Sequence, residues 1–92
     1  MKLTILPEDI EKGHRRSATT CPTAYACMRQ FNLKNDCVTV GYYYITIWDN
    51  SDFSYVKYST SHELEDEMDS FDRGQLFTPG EYEITEIERG ML

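Results

Sequence analysis

The sequence predicts an α+β protein in which two helices cover one face of a mostly antiparallel sheet. Three observations support this prediction. Short runs of β-branched and aromatic residues alternate with two segments of helical apolar spacing, and a turn cluster joins two of the runs. The predicted order is β-α-β-β-α-β, a small two-layer sandwich that forms one domain over residues 1–92.

The predicted elements begin with a strand and a helical turn. Leu3 and Ile5 alternate with polar residues in the segment 2–6, which places both on one face of a strand. The segment 8–12 follows Pro7 and precedes Gly13, residues typical of the start and end of a helix. A polar loop is expected over 13–20, and the last strand could pair with the first.

The first long helix is predicted to begin at Pro22, with Thr20 or Cys21 as its N-cap. Its apolar residues recur at i, i+3, i+4 and i+7, which defines one buried helical face. They are Ala24, Cys27, Met28 and Phe31.

The middle of the chain reads as a hairpin. Residues 37–48 are rich in β-branched and aromatic side chains and predict one long central strand, in which Gly41 marks a bulge or a close backbone approach. A turn cluster over 49–52 then leads into a second strand over 53–59.

A second long helix and a final strand complete the prediction. Thr60 and Glu63 form a candidate capping box, and Gly74 is the expected stop. A strand over 81–87 should turn Tyr82 and Ile84 inward. The inner face of the helix is predicted to hold Leu64, Met68 and Phe71.

The charge is strongly uneven along the chain. The net charge is −7, and residues 1–46 hold six Lys and Arg against four Asp and Glu, whereas residues 47–92 hold three against twelve. Phosphate and anionic membranes should repel the acidic half, so we expect no direct nucleic-acid binding and no membrane binding. The acidic half could instead face a basic protein.

The compartment is predicted to be the cytoplasm. The sequence has no apolar run of 18 residues and no secretory leader pattern at its start. Its three cysteines are an odd number, which argues against a closed disulfide framework and favours free thiols in a reducing compartment.

Several short motifs lie along residues 8–80: Asp9-Ile10-Glu11-Lys12-Gly13, Arg15-Arg16, Cys21-Pro22 followed by Ala24 and Ala26, Val38-Thr39-Val40-Gly41, and Phe71-Asp72-Arg73-Gly74. In this combination the chain resembles a recurrent group of small bacteriophage and prophage proteins. The resemblance implies a phage-borne accessory protein in the host cytoplasm, and it transfers no catalytic residue. Similar sequences often carry larger aliphatic residues at Thr23 and Tyr25, so local packing is expected to differ there.

Two candidate binding sites of opposite charge emerge. The first is an acidic face on the second long helix, which could imitate a phosphate backbone and occupy a nucleic-acid-binding groove; its residues are Glu63, Glu65, Asp66, Glu67, Asp69 and Asp72. The second is an anion site in which Arg15, Arg16 and the helix start at Cys21 converge on a phosphate. Either set could also be ordinary solvated surface.

Catalytic and metal chemistry have weaker support. Cys21 at a helix start could form a thiolate, but no base is placed beside it, and capping is the alternative. The cysteines with His14 and His62 match no standard zinc spacing, so no metal or cofactor is expected. The aromatics of the hairpin either pack in the core or form an exposed platform.

The sequence therefore predicts a non-enzymatic phage protein that inhibits a host defence or nucleic-acid-handling protein through its acidic face. The alternative is a binder that sequesters a nucleotide or another phosphate-bearing signal at Arg15, Arg16 and Cys21.

Overall fold

The computed structural model describes residues 1–49 and 51–91, which form a five-stranded antiparallel sheet and three α-helices. The strands are β1 (Lys2–Ile5), β2 (Val38–Val40), β3 (Tyr44–Asp49), β4 (Ser54–Thr60) and β5 (Gly80–Met91). The helices are α1 (Pro7–Lys12), α2 (Pro22–Gln30) and α3 (His62–Asp72). The predicted α+β class is confirmed, although the sheet has one strand more than predicted.

The strand order is β1-β5-β4-β3-β2, so the two strands from opposite ends of the chain are neighbours. Leu3 pairs with Tyr82 in this contact, which confirms the suggested pairing of the first and last strands. The register of β5 against β4 shifts between Lys57 and Tyr58, which marks a bulge. No helix within the described ranges is long and apolar enough to cross a membrane.

One apolar cluster lies between the sheet and the helices. Alternate residues of each strand point into it, as the period of two requires. The fully buried strand residues are Leu3, Ile5, Val38, Ile45 and Ile84. The helices contribute Ala24, Cys27, Met28, Leu64, Met68 and Phe71, which confirms the inner face predicted for α3 and, except for Phe31, the one predicted for α2.

The predicted long strand over 37–48 is wrong, because the chain reverses within it. Residues 41–43 form a turn that joins β2 to β3, and the Gly41 amide donates to the Tyr44 carbonyl at 2.8 Å. Tyr42 and Tyr43 have high strand propensity, but contacts from outside the turn fix their backbone. The Thr60 hydroxyl donates to the Tyr42 carbonyl at 2.5 Å, and the Thr60 amide to the Tyr43 carbonyl at 3.0 Å.

The hydrogen bonds of Thr60 also explain why the predicted N-cap of α3 is wrong by one residue. Thr60 belongs to β4, and Ser61 is the N-cap, whose hydroxyl accepts from the Leu64 amide at 3.3 Å.

At the end of α2, Phe31 lies just past the helix and is only half buried. Its ring stacks on Tyr58 with centroids 6.1 Å apart.

An ion pair between a buried carboxylate and a partly exposed guanidinium ties α1, α2 and β1 together. The Asp9 carboxylate is buried, and it accepts from the Leu6 amide at 2.9 Å and from the Arg29 guanidinium at 3.0 Å. Arg29 also donates to the Thr4 carbonyl at 2.6 Å. The guanidinium thus neutralises a charge that would be costly to bury alone.

We expect Arg29→Gln to lower the free energy of unfolding by about 3 kcal/mol, because it leaves the buried Asp9 carboxylate without its counter-charge. Urea denaturation measures this. The matched control is Arg73→Gln, which breaks an exposed pair with Asp69 and should cost less than about 1 kcal/mol. Equal losses in the two variants would contradict the assigned role of the Asp9 pair.

Candidate functional site

The loop between α1 and α2 is held against β2, α2 and α3. The His14 amide donates to the Thr20 carbonyl at 2.8 Å, which closes the loop on itself. The Val40 amide donates to the Ala18 carbonyl at 2.8 Å, which joins the loop to β2. At its start the chain passes so close to α2 that a Cβ on Gly13 would lie 2.5 Å from the Pro22 ring. Glycine is therefore required there.

Arg15 connects this loop to the C-terminal end of α3. Its Nε donates to the Phe71 carbonyl at 2.6 Å, and a terminal nitrogen donates to the Gln75 carbonyl at 3.2 Å. The guanidinium also lies 4.4 Å from the centroid of the Phe71 ring. A cation at this end of a helix satisfies terminal carbonyls and opposes the macrodipole. Arg15 thus serves the loop–helix contact, whereas the sequence predicted that it binds an anion.

Asp72 is the second connection between the loop and α3. One carboxylate oxygen accepts from the Arg16 amide at 2.8 Å, and the other accepts from the Tyr42 hydroxyl at 2.6 Å. The backbone of Arg16 is left-handed, with φ of 58°. The hydrogen bond to the Asp72 carboxylate raises the pKa of Tyr42, because losing that proton would place two negative charges together. Asp72 therefore joins three segments.

A cavity of about 260 Å³ lies beneath these contacts. Its walls are mostly apolar, and they include Pro22, Val40, Met68, Phe71 and Phe77.

Polar residues also border this cavity. Of the predicted anion-binding set, Arg16 and Cys21 line it, whereas Arg15 is not among its lining residues. Asp72 lines it too and brings a carboxylate to the place where a phosphate was predicted. The structure thus brings only part of the predicted anion site together, and it adds an opposing negative charge.

Cys21 is the N-cap of α2, as the sequence suggested. Its side chain is buried, and burial raises the pKa of the thiol, although the amides of Thr23 and Ala24 act in the opposite direction. Asp72 raises the pKa further by its charge. The thiol is therefore favoured over the thiolate at neutral pH, which weakens the interpretation of Cys21 as a nucleophile.

The predicted acidic face of α3 divides into exposed and engaged residues. Glu63 and Asp66 are exposed. Asp69 lies 3.2 Å from the Arg73 guanidinium, and Glu67 accepts from the Thr78 amide at 2.7 Å.

The two remaining acids of the set are also engaged. Glu65 lies 3.2 Å from the His62 ring nitrogen. Asp72 accepts a hydrogen bond from the Arg16 amide of the loop. Asp72 was predicted to bind a partner, but both of its carboxylate oxygens already accept hydrogen bonds within the protein.

Three of these acids, of which only Asp66 is fully exposed, border a groove that sequence reasoning did not identify. Its volume is about 430 Å³, and its lining residues are Tyr42, Tyr43, His62, Glu65, Asp66 and Asp69. The two tyrosines are 42% and 67% exposed, so both rings are available to a partner. The sequence signal for this groove was the run of three tyrosines after Gly41. The turn that places Tyr42 and Tyr43 beside α3 was not predicted. We call these six residues the acidic groove.

The other hairpin aromatics serve different surfaces. Tyr58 is buried in the core. Strand alternation places Tyr44, Trp48 and Tyr55 on the opposite face of the sheet, where the rings of Trp48 and Tyr55 are 5.6 Å apart. Lys57 lies 5.3 Å from the Tyr44 ring centroid. The exposed platform considered from the sequence is therefore present in part, on the face away from the helices.

Comparison of the chain with protein-family models, with curated proteins and with solved structures finds no match in any of the three. The resemblance to phage proteins therefore stays a prediction. Among residues 1–49 and 51–91, no group of three or more His, Cys, Asp or Glu is arranged to hold a metal ion.

We expect Arg15→Gln to lower the free energy of unfolding by about 2 kcal/mol, because it removes charge-assisted hydrogen bonds and a cation–π contact at the end of α3. Arg16→Gln is the matched control and should change it by less than about 0.5 kcal/mol, because only the Arg16 amide bonds Asp72. Urea denaturation of both variants provides the measurement. If the two variants are equally stable, Arg15 has no structural role.

Proposed function

We propose that this protein works by binding a basic protein partner in the acidic groove and that it does so without catalysis. The observation that carries the proposal is the placement of exposed Tyr42 and Tyr43 beside Glu65, Asp66 and Asp69 in one groove. Carboxylates attract Lys and Arg side chains, and tyrosine faces bind the same cations through their π electrons.

The surrounding charge supports this choice of partner. Residues 47–92 hold twelve acidic side chains against three basic ones, and α3 lies within this half. Such a field steers a basic surface toward the groove and repels nucleic acid. Proteins that handle nucleic acid carry basic surfaces for phosphate. A nucleic-acid-handling or defence protein of a phage host, inhibited in the host cytoplasm, is the target class that we propose.

The alternative function is capture of a nucleotide or another phosphate-bearing signal at Arg15, Arg16 and Cys21. The geometry gives it less support. Arg15 donates to two carbonyls, and the Asp72 carboxylate lies at the same cavity and would repel a phosphate. The acidic groove is lined by three carboxylates and by no Lys or Arg side chain, although Asp69 also pairs with Arg73 beside it.

The test replaces Glu65, Asp66 and Asp69 together with Ser. The partner is first isolated from host lysate with the parent protein and then purified, and its affinity is measured by calorimetry at several salt concentrations. We expect affinity to fall about tenfold or more and its salt dependence to decrease, because three charges leave the interface.

The matched control replaces Glu8, Glu11 and Glu81 with Ser, which changes the net charge equally at positions outside the groove. We expect this variant to keep most of its affinity. Equal losses in the two triple variants would indicate a general charge effect. If the groove variant keeps the affinity of the parent protein and an unchanged circular dichroism spectrum, the groove does not bind the partner.

A further inference from the structure

Thr23 presents an unusual polar atom inside the molecule. The residue is completely buried, and its hydroxyl oxygen has no hydrogen-bond partner among the described residues. A buried hydroxyl without a partner is costly, so natural structures rarely keep one without a reason.

The position of Thr23 explains why the helix does not satisfy this hydroxyl. Within a helix a threonine usually donates to the carbonyl three or four residues before it. Thr23 is the second residue of α2, so the carbonyls three and four positions before it belong to the loop and not to the helix.

Thr23 also lines the cavity of about 260 Å³ between the loop and α3. Two aromatic rings, Phe71 and Phe77, contribute to its wall and pack edge to face at 5.9 Å. A dry cavity of about 150 Å³ can hold a benzene ring, so this volume accommodates a single or fused ring. The cavity therefore has mostly apolar walls, and one of the residues that line it carries a buried hydroxyl without a partner, a combination found in small-molecule sites.

We propose that this cavity binds a small uncharged heteroaromatic molecule whose N–H or ring nitrogen bonds the Thr23 hydroxyl. The aromatic walls favour a flat ring with apolar faces. The charge at the border favours a neutral molecule, because Asp72 opposes an anion while Arg16 opposes a cation. This site is separate from the acidic groove, and it does not depend on the proposed partner.

The test uses indole, which has one ring N–H, and indene, a hydrocarbon of nearly the same shape without it. Binding is followed by chemical-shift changes of the backbone amides. We expect indole to bind with a Kd of about 1 mM or lower and to shift the amides around the cavity. Indene should bind about fivefold to tenfold more weakly, because it leaves the Thr23 hydroxyl without a partner.

Two variants separate the hydrogen bond from the shape of the cavity. Thr23→Val keeps the branched shape and removes the hydroxyl, so indole affinity should fall to that of indene, while the melting temperature stays the same or rises. Thr23→Ser keeps the hydroxyl and should retain the preference for indole over indene.

Three results would overturn the proposal. One is the absence of indole-induced shifts at the cavity at millimolar concentration. Another is an unchanged preference for indole in Thr23→Val. The third is binding of inorganic phosphate at the cavity of the parent protein, which would identify an anion site at Arg16 and Cys21 in place of a site for a neutral ring.

Discussion

The carboxylate of Asp72 is the interaction on which the functional part of the molecule depends. It accepts from the Arg16 amide on the loop and from the Tyr42 hydroxyl on the turn between β2 and β3. These segments are far apart in sequence and make no common secondary structure. Without this shared acceptor the loop would lose its contact with α3 through Arg16, and the Tyr42 hydroxyl would lose the hydrogen bond that holds its ring beside the acidic groove.

The electrostatics of α3 make this arrangement possible. A negative charge at the C-terminal end of a helix is unfavourable, and six acids on one helix repel one another. Arg15 offsets the first cost by binding the carbonyls of Phe71 and Gln75, and Arg73 offsets part of the second beside Asp69. The basic loop and the acidic helix, which appeared as two separate sites in the sequence, are thus partly engaged with each other.

This engagement shows what the sequence could predict and what it could not. Helical periodicity identified the buried Leu64, Met68 and Phe71, because local spacing determines which face a helix buries. Strand propensity missed the turn at 41–43, because the hydrogen bonds that hold it come from Thr60, far along the chain. The composition of the acidic face was visible in the sequence. The partners of Arg15 and Asp72 were not, since each depends on the tertiary fold.

The most direct test of this account is amide hydrogen exchange in Asp72→Ala, with Glu63→Ala as a control on the exposed side of the same helix. The account predicts that the Arg16 amide exchanges about tenfold faster or more in Asp72→Ala, because it loses a charge-assisted hydrogen bond, and that it is unchanged in Glu63→Ala. Equal exchange of the Arg16 amide in the parent and in Asp72→Ala would contradict the central role of this carboxylate.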